Sequence, residues 1–376
     1  MLLTVKLWKL TKNTGECYDF NRTTDCVKAV RYSGVEMELR RKKVTIEDIA
    51  NALGCSKTTV SRALSGKGRI GENTREQILN YAKSCGYKPN AAAKALAEKR
   101  SFNVGVVLPG DSELMEIPFF QSCLLGIYER ASGRNHDVLV VMDRQGQIDG
   151  LQRIAEKEKA DGVILTRSVL GDPHVAYLLE KQMPFVVIGS CEDRSILQVD
   201  NHHVEACREI TAYLTQSMKK PALIGGSEDY VVNRRRLRGF TEGIESQRRK
   251  VRMDLIYQNC ITRTQVEEAV RSALEKQADG IVCMDDKICG YALHCLDTLH
   301  VRIPRDIRVA SFYSSPYLDN CAPGITSLKF HPKELGSAAC QVLLDRIEGK
   351  NVPERTLLGY EIVIKDSTKM TGVYRR

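Results

Sequence analysis

The sequence predicts an α/β protein in two parts: a small all-α module near the N-terminus, then a larger body of parallel sheets in two similar halves. Three observations carry this. From Phe102 onward, short continuous apolar runs alternate with amphipathic helical patterns, the texture of parallel sheets covered on both faces. Residues 44 to 100 stand outside that alternation and show only helical spacing. The body also contains an internal echo, "EKEKADGVIL" at 156–165 and "EKQADGIVC" at 275–283. It points to two related halves of about four strands each.

The chain of 376 residues is long enough for two or three domains, and 43% hydrophobic residues suffice for a real core. No run of eighteen apolar residues appears, nor an apolar h-region at the N-terminus. We therefore expect a cytoplasmic protein with no membrane partner. The 13 cysteines are odd in number and form no CxxC pair. The tightest grouping, Cys283, Cys289 and Cys295, fits neither zinc spacing nor a disulfide framework, so reduced, mostly buried thiols are expected. Charge is unevenly spread. Residues 1–100 hold 20 Lys+Arg against 10 Asp+Glu, whereas the remainder holds 36 against 37. A basic module on a neutral body is the pattern of nucleic-acid binding.

Residues 1–43 read as a basic leader, with residues 1–36 expected to lie upstream of a start at Met37. From Thr45 the signal sharpens. Thr45 and Asp48 can form a capping box, and Ile46, Ile49, Ala50 and Leu53 make one apolar stripe ending at Gly54. Ser56 opens a second helix with Val60, Ala63 and Leu64 inward. Thr74 and Gln77 are a candidate cap for a third helix, with Ile78, Ala82 and Cys85 inward. The module is placed at 44–88. Pro89 then interrupts, and Asn90 can cap a short Ala-rich helix in a hinge at 89–101. A helix of about two turns is marginal in water and needs something to pack against.

Strands are expected at 104–109, 137–143, 161–166, 185–190, 221–226, 253–257, 279–285 and 307–312, in a body spanning 102–365 with a tail at 366–376. Between them, Phe120, Leu124, Ile127 and Ala131, and later Leu335, Ala339, Val342 and Leu343, have helical spacing. A cleft between the halves is the default ligand site.

The two short helices at 45–65 match a helix-turn-helix. A major groove admits one helix, and bases are read by side chains near its start. Thr58, Thr59 and Ser61 allow close approach, while Lys57 and Arg62 can reach guanine or phosphate.

The stretch "VTIEDIANALGCSKTTVSRALSGKGRIGENTREQILNYAKSCGYKPNAAAKALA" closely resembles the DNA-binding headpiece of the lactose/galactose repressor family. The resemblance continues through "RLRGFTEGI" (236–244) and "LKFHPKELGSAACQVLLDRIEG" (328–349), covering residues 44–365. It implies a ligand-responsive transcriptional regulator, most often a repressor, that binds a near-palindromic double-stranded operator as a homodimer or a dimer of dimers. It also implies a body like that of periplasmic sugar-binding proteins, holding a sugar or small metabolite. No heptad-rich segment follows residue 365, which favours the dimer. On this resemblance Lys57, Thr58 and Arg62 fall on base-reading positions and Ala93 on the groove-facing side of the hinge; Ser56, Thr59, Ser61 and Ser65 in the headpiece and Asn90 and Lys94 in the hinge complete the candidate DNA-facing set, with Leu96. Leu96 falls on the leucine that wedges into the minor groove, an apolar wedge able to kink DNA.

The resemblance places effector contacts at Arg236 and Asp286 and a cleft position at Phe330; Phe119 and Phe120, which can line the mouth of the cleft, and Thr166 are further effector candidates. Arg236 carries the Arg-x-x-Gly pattern with Gly239, and Asp286 follows "IVCMD". A guanidinium and a carboxylate suit a hydroxyl-rich ligand. The chain departs from the family at Asp285-Asp286, at Ser311-Phe312-Tyr313-Ser314 and at Phe330, which bears on ligand identity. An enzyme is disfavoured: no GxGxxG follows the first strand, no GxxxxGK[ST] occurs, and no catalytic or metal-ligand constellation stands out. No cofactor is expected. His202-His203 beside Asp200 reads as a helix start.

Overall fold

The computed structural model describes residues 44–66, 68–87, 100–110, 118–144 and 146–369. The chain divides into two compact units, 1–89 and 90–376.

The first unit contains α1 (Ile46–Ala52), α2 (Lys57–Ser65) and α3 (Glu72–Ser84). Thr45 and Asp48 form the reciprocal capping box. Gly54, at φ +63, ends the first helical segment where an L side chain would be strained. Ser56 caps α2, and Gly66 closes it in the left-handed region. Ile49, Ala50, Val60, Ala63, Ile78 and Ala82 form one small core, with Leu64 and Cys85 packed at its edge. One expected cap is corrected. α3 begins at Glu72 with Gly71 at its N-cap and no side-chain cap, so Thr74 and Gln77 lie inside the helix.

The second unit holds two six-stranded sheets. The first combines β1 (Asn103–Pro109), β2 (Asp137–Asp143), β3 (Gly162–Leu165), β4 (Phe185–Ile188), β5 (Leu197–Asn201) and β11 (Arg355–Leu358), in the order β11-β5-β4-β3-β1-β2. The second combines β6 (Pro221–Ile224), β7 (Ile256–Tyr257), β8 (Gly280–Cys283), β9 (Arg308–Ser311), β10 (Thr326–Lys329) and β12 (Glu361–Val363), in the order β12-β10-β9-β8-β6-β7. All pairings are parallel except β10 with β12. Central strands are buried throughout, as four-residue runs such as "GVIL" and "GIVC" require.

The expectation of about four strands per half is therefore corrected to six. β5, β10, β11 and β12 escaped the reading because "LQVDN", "TSLK", "RTLL" and "EIV" are short and mix polar with apolar residues. Residues 253–257 are also not one strand: Met253–Leu255 is a 3-10 turn leading into two strand residues. The boundary of the tail moves as well. Ser367 is fully buried, donating to the Val309 carbonyl at 2.6 Å and accepting from Thr326 N–H at 2.9 Å. Residues 366–369 thus belong to the body.

Three further helices position the site: α4 (Pro118–Ser132), α7 (His203–Leu214) and α8 (Val231–Ser246). After β10 the chain returns to the first sheet as α12 (Pro332–Ile347), whose Leu335, Ala339 and Leu343 join Val104, Val106, Cys123 and Ile127 in one core. α4 and α12 cross at two glycines. A Cβ on Gly126 would lie 1.9 Å from the Lys333 carbonyl oxygen, and one on Gly336 2.1 Å from that of Cys123.

Candidate nucleic-acid interface and ligand cavity

On α2, Lys57, Thr58, Ser61, Arg62 and Ser65 are exposed, and Ser56 before it is exposed too. Thr59 is only half-exposed. Its backbone N–H donates to Ser56 Oγ at 3.1 Å and the two hydroxyls lie 2.8 Å apart. Ser56 and Thr59 thus spend hydrogen-bonding capacity on starting the helix, whereas Thr58, Ser61 and Arg62 carry none of that duty. Lys57 Nζ pairs with Glu47 at 2.7 Å. Both partners are more than half exposed, so the pair is weak and leaves the cation able to exchange Glu47 for a phosphate. Asn90, Ala93, Lys94 and Leu96, together with the leader at 1–43, lie outside the described residues.

In the second unit a cavity of about 980 Å³ takes lining from both sheets. All six sequence-derived effector candidates, Phe119, Phe120, Thr166, Arg236, Asp286 and Phe330, meet there. Arg236 is placed by α8, where Gly239 lets the helix press against α7: a Cβ on it would lie 2.6 Å from the Val204 carbonyl oxygen. Asp286 is the first residue of α10 (Asp286–Thr298). The capping role falls to its neighbour, since Asp285 accepts the Ile288 N–H at 2.8 Å. Burial pushes the Asp285 carboxyl above its ordinary range.

The polar wall is left incomplete. Arg236 and Asp286 are both buried, and Arg236 Nε and Asp286 Oδ1 have no hydrogen-bond partner. Asn201 Oδ1 and His203 Nδ1, on two more lining residues, are also without partners. Buried polar atoms of this kind are costly unless something completes their bonding. Thr166 differs, because its hydroxyl donates to the Val107 carbonyl at 2.7 Å and can only accept from a ligand.

His202-His203 does start a helix, α7, with His202 at its N-cap. The pair still contributes to the cavity. Burial pulls the His203 pKa down, against the attraction of Asp200. Burial opposes the Asp200 charge too, but His203 and hydrogen bonds from Ser190 Oγ (2.6 Å) and Asn201 N–H (2.8 Å) hold that carboxyl below its usual range. The apolar wall is aromatic. Tyr313 stacks on Phe330 at an interplanar angle of 15°, and Phe119 meets Tyr313 edge-on. Phe330 also packs against His203. The sequence reading missed Arg167, Tyr230, Asp200 and His203 as lining residues. No motif marks them, because they converge only when the two lobes face each other. Among the described residues no group of three or more His, Cys, Asp or Glu could hold a metal, and no helix is long and apolar enough to cross a membrane.

Comparison with known proteins agrees with this architecture. Residues 45–90 match the family model of bacterial regulatory proteins of the lacI family, and residues 210–368 match a periplasmic binding protein-like domain. The HTH-type transcriptional regulator MalR of Staphylococcus xylosus is 31% identical over 318 residues, covering 82% of this chain and 93% of the relative. The regulator CelR of Thermobifida fusca is 26% identical over 337 residues, covering 87% and 99%. A solved complex of the transcriptional regulator CelR with cellobiose has a TM-score of 0.65 at 25% identity, over 86% of this chain and all of the other. The lac repressor dimer bound to operator and anti-inducer shares the fold, with a TM-score of 0.71 at 20% identity over 87% and 99%. The headpiece, the two-sheet body and these relatives together show that the chain belongs to the LacI family of bacterial DNA-binding transcriptional regulators.

Proposed function

We propose that the protein is a cytoplasmic repressor of a sugar operon. It binds a near-palindromic operator as a dimer and is controlled by a sugar of disaccharide size seated in the cavity. The observation that carries the ligand half is Arg236 and Asp286, a buried cation and a buried carboxylate in one cavity wall, each with an atom lacking a partner. Hydroxyl groups satisfy both at once, since each can accept from Arg236 and donate to Asp286. The stacked Tyr313 and Phe330 suit the apolar face of a sugar ring. One relative supports the size class: the transcriptional regulator CelR is solved with cellobiose.

The DNA half rests on the exposed Lys57, Thr58, Ser61 and Arg62 of α2, with Leu96 as the proposed wedge. Dimerisation is supported by an apolar patch of Leu125 and Tyr128 on α4 and Val140 and Met142 on the edge strand β2, all exposed in the single chain. An edge strand of that kind needs a cover.

A thermal-shift screen of mono- and disaccharides tests the ligand reading. A ligand at a hundred times its Kd adds about 2.7 kcal/mol of stability. One or more disaccharides should raise the melting temperature of the native protein, and Arg236→Gln and Asp286→Asn should abolish that rise. A sugar-induced shift that survives both substitutions would overturn the assignment. Operator titration against salt tests the DNA reading, with a log–log slope of about −0.9 for each phosphate neutralised.

A further inference from the structure

The chain passes between the two lobes three times, at residues 201–203, 329–332 and 358–361. A fourth link, made without covalent bonds, lies in the cavity wall. The segment after β3 meets the start of α8 in an antiparallel bridge between Val169 and Tyr230. Leu170 N–H donates to the Asp229 carbonyl at 3.0 Å, and Val231 N–H to the Ser168 carbonyl at 3.3 Å. One side chain spans the same junction. Arg167 donates from Nη2 to Asp143 Oδ2 at 2.5 Å within the first lobe, and from Nη1 to the Tyr230 hydroxyl at 3.2 Å in the second. Its guanidinium carbon also lies 5.5 Å from the centre of the Tyr230 ring.

Both anchors are stiff. Asp143 is buried, and its second oxygen accepts Gly146 N–H at 2.9 Å. On the other side, Glu228 accepts from Gln258 Nε2 and Asn259 Nδ2, each at 2.9 Å, and Asn233 Nδ2 donates to the Ser227 carbonyl at 2.9 Å. A planar guanidinium held at both ends is directional, so it favours one separation and rotation of the lobes. Unlike the three chain crossings, this link can open. Arg167 and Tyr230 also line the cavity, so lobe closure and ligand occupancy involve the same side chains.

We propose that Arg167 is a positioning residue that latches the two lobes. Through Asp143 and Tyr230 it sets the population of the closed arrangement, and hence how readily a ligand in the cavity shifts the body between states. Only that last consequence rests on the cavity being a ligand site.

Hydrogen exchange of the ligand-free full-length protein tests the latch directly. In Arg167→Gln, the amides of Leu170 and Val231 should exchange about tenfold faster. Tyr230→Phe keeps the ring beneath the guanidinium and should show a smaller acceleration at the same two amides. Exchange at Val106 and Val282, in the sheet centres, should stay unchanged in both. Unaltered rates at Leu170 and Val231 in both variants would overturn the proposal. So would a uniform acceleration reaching Val106 and Val282 in Tyr230→Phe, a variant lacking only one hydroxyl. Because no ligand is present, a failed sugar screen would leave this result standing, and the reverse.

Discussion

Asp161 and Asp279, 118 residues apart, make the same contacts in the two lobes. Asp161 precedes β3 and accepts Ser101 N–H at 2.6 Å, Ser101 Oγ at 2.8 Å and Phe102 N–H at 3.0 Å. Asp279 precedes β8 and accepts Lys219 N–H at 2.6 Å and Lys220 N–H at 2.7 Å. Each carboxylate thus collects the amides leading into the strand its own strand pairs with, β1 or β6. The repeated Ala-Asp-Gly is that contact written twice. Asp161 has a further duty just before β1, where Arg100 Nε lies 3.4 Å away and Phe102 is held at φ +55.

Replacing Asp161 by alanine should therefore cost about 1–3 kcal/mol, the penalty of leaving half-buried donors without their acceptor, and replacing Asp279, one of whose donors is exposed, should cost less. Urea unfolding of the two variants reads this directly. A cost near zero at both positions would show that water replaces the carboxylate without loss.

The crossing of α4 and α12 should be intolerant of a single methyl group. The obstacle at Gly126 and at Gly336 is a carbonyl oxygen, not the end of a flexible side chain, so the helices themselves must part. Gly126→Ala and Gly336→Ala are each expected to lose about 3 kcal/mol. Gly359, where an added Cβ meets nothing within 4 Å, is the control. Thermal melts of the three variants make the comparison.

In the headpiece, stability and recognition should separate. Thr45→Ala removes the capping box and should cost about 1 kcal/mol of headpiece stability while leaving operator preference unaltered. Arg62→Gln should cost little stability but about 1–3 kcal/mol of discrimination at one base pair. Binding to an operator library, alongside melting curves, would show the two effects falling on different variants. Loss of stability without loss of selectivity in Arg62→Gln would count against its base-reading role.

Acid should loosen the contact between the ends of α4 and α12. Arg134 donates to Asp345 at 2.9 Å and also to Glu348, while Lys350 Nζ reaches Asp345 at 2.8 Å. Burial works against the Asp345 charge, but Lys350, Gln341 and Arg134 together bring its pKa to about 2, and the Lys350 and Arg134 contacts outweigh burial to lower that of Glu348. Folded values below unfolded ones mean a contribution that is full above about pH 5 and fades as the pH falls toward 2. Denaturant midpoints between pH 7 and pH 2.5 should decline less steeply in Asp345→Asn than in the native chain. Equal slopes would reject the account.

Periodicity exposed the elements whose pattern is local. The Thr45–Asp48 box, the stripe of Ile49 and Ala50, and the central strands around Val106, Ile164 and Val282 follow from helical spacing or from short apolar runs bounded by turns. The missed strands were invisible for the converse reason. β5 buries Gln198 and Asp200 because their side chains find partners in Cys191 N–H, the Asp193 carbonyl and Ser190, and no hydrophobicity pattern encodes a hydrogen bond.

By itself the sequence determined that a basic helical headpiece precedes a neutral α/β body, because cap residues, apolar spacing and charge bias act over a few residues at a time. Resemblance to a known family, in turn, singled out Arg236 and Asp286. Only the tertiary structure decided that these two line one cavity with Tyr313 and His203, and that Arg167 reaches Tyr230 in the other lobe. Those relationships join residues tens of positions apart, and the last exists only once two separately wound sheets are set face to face.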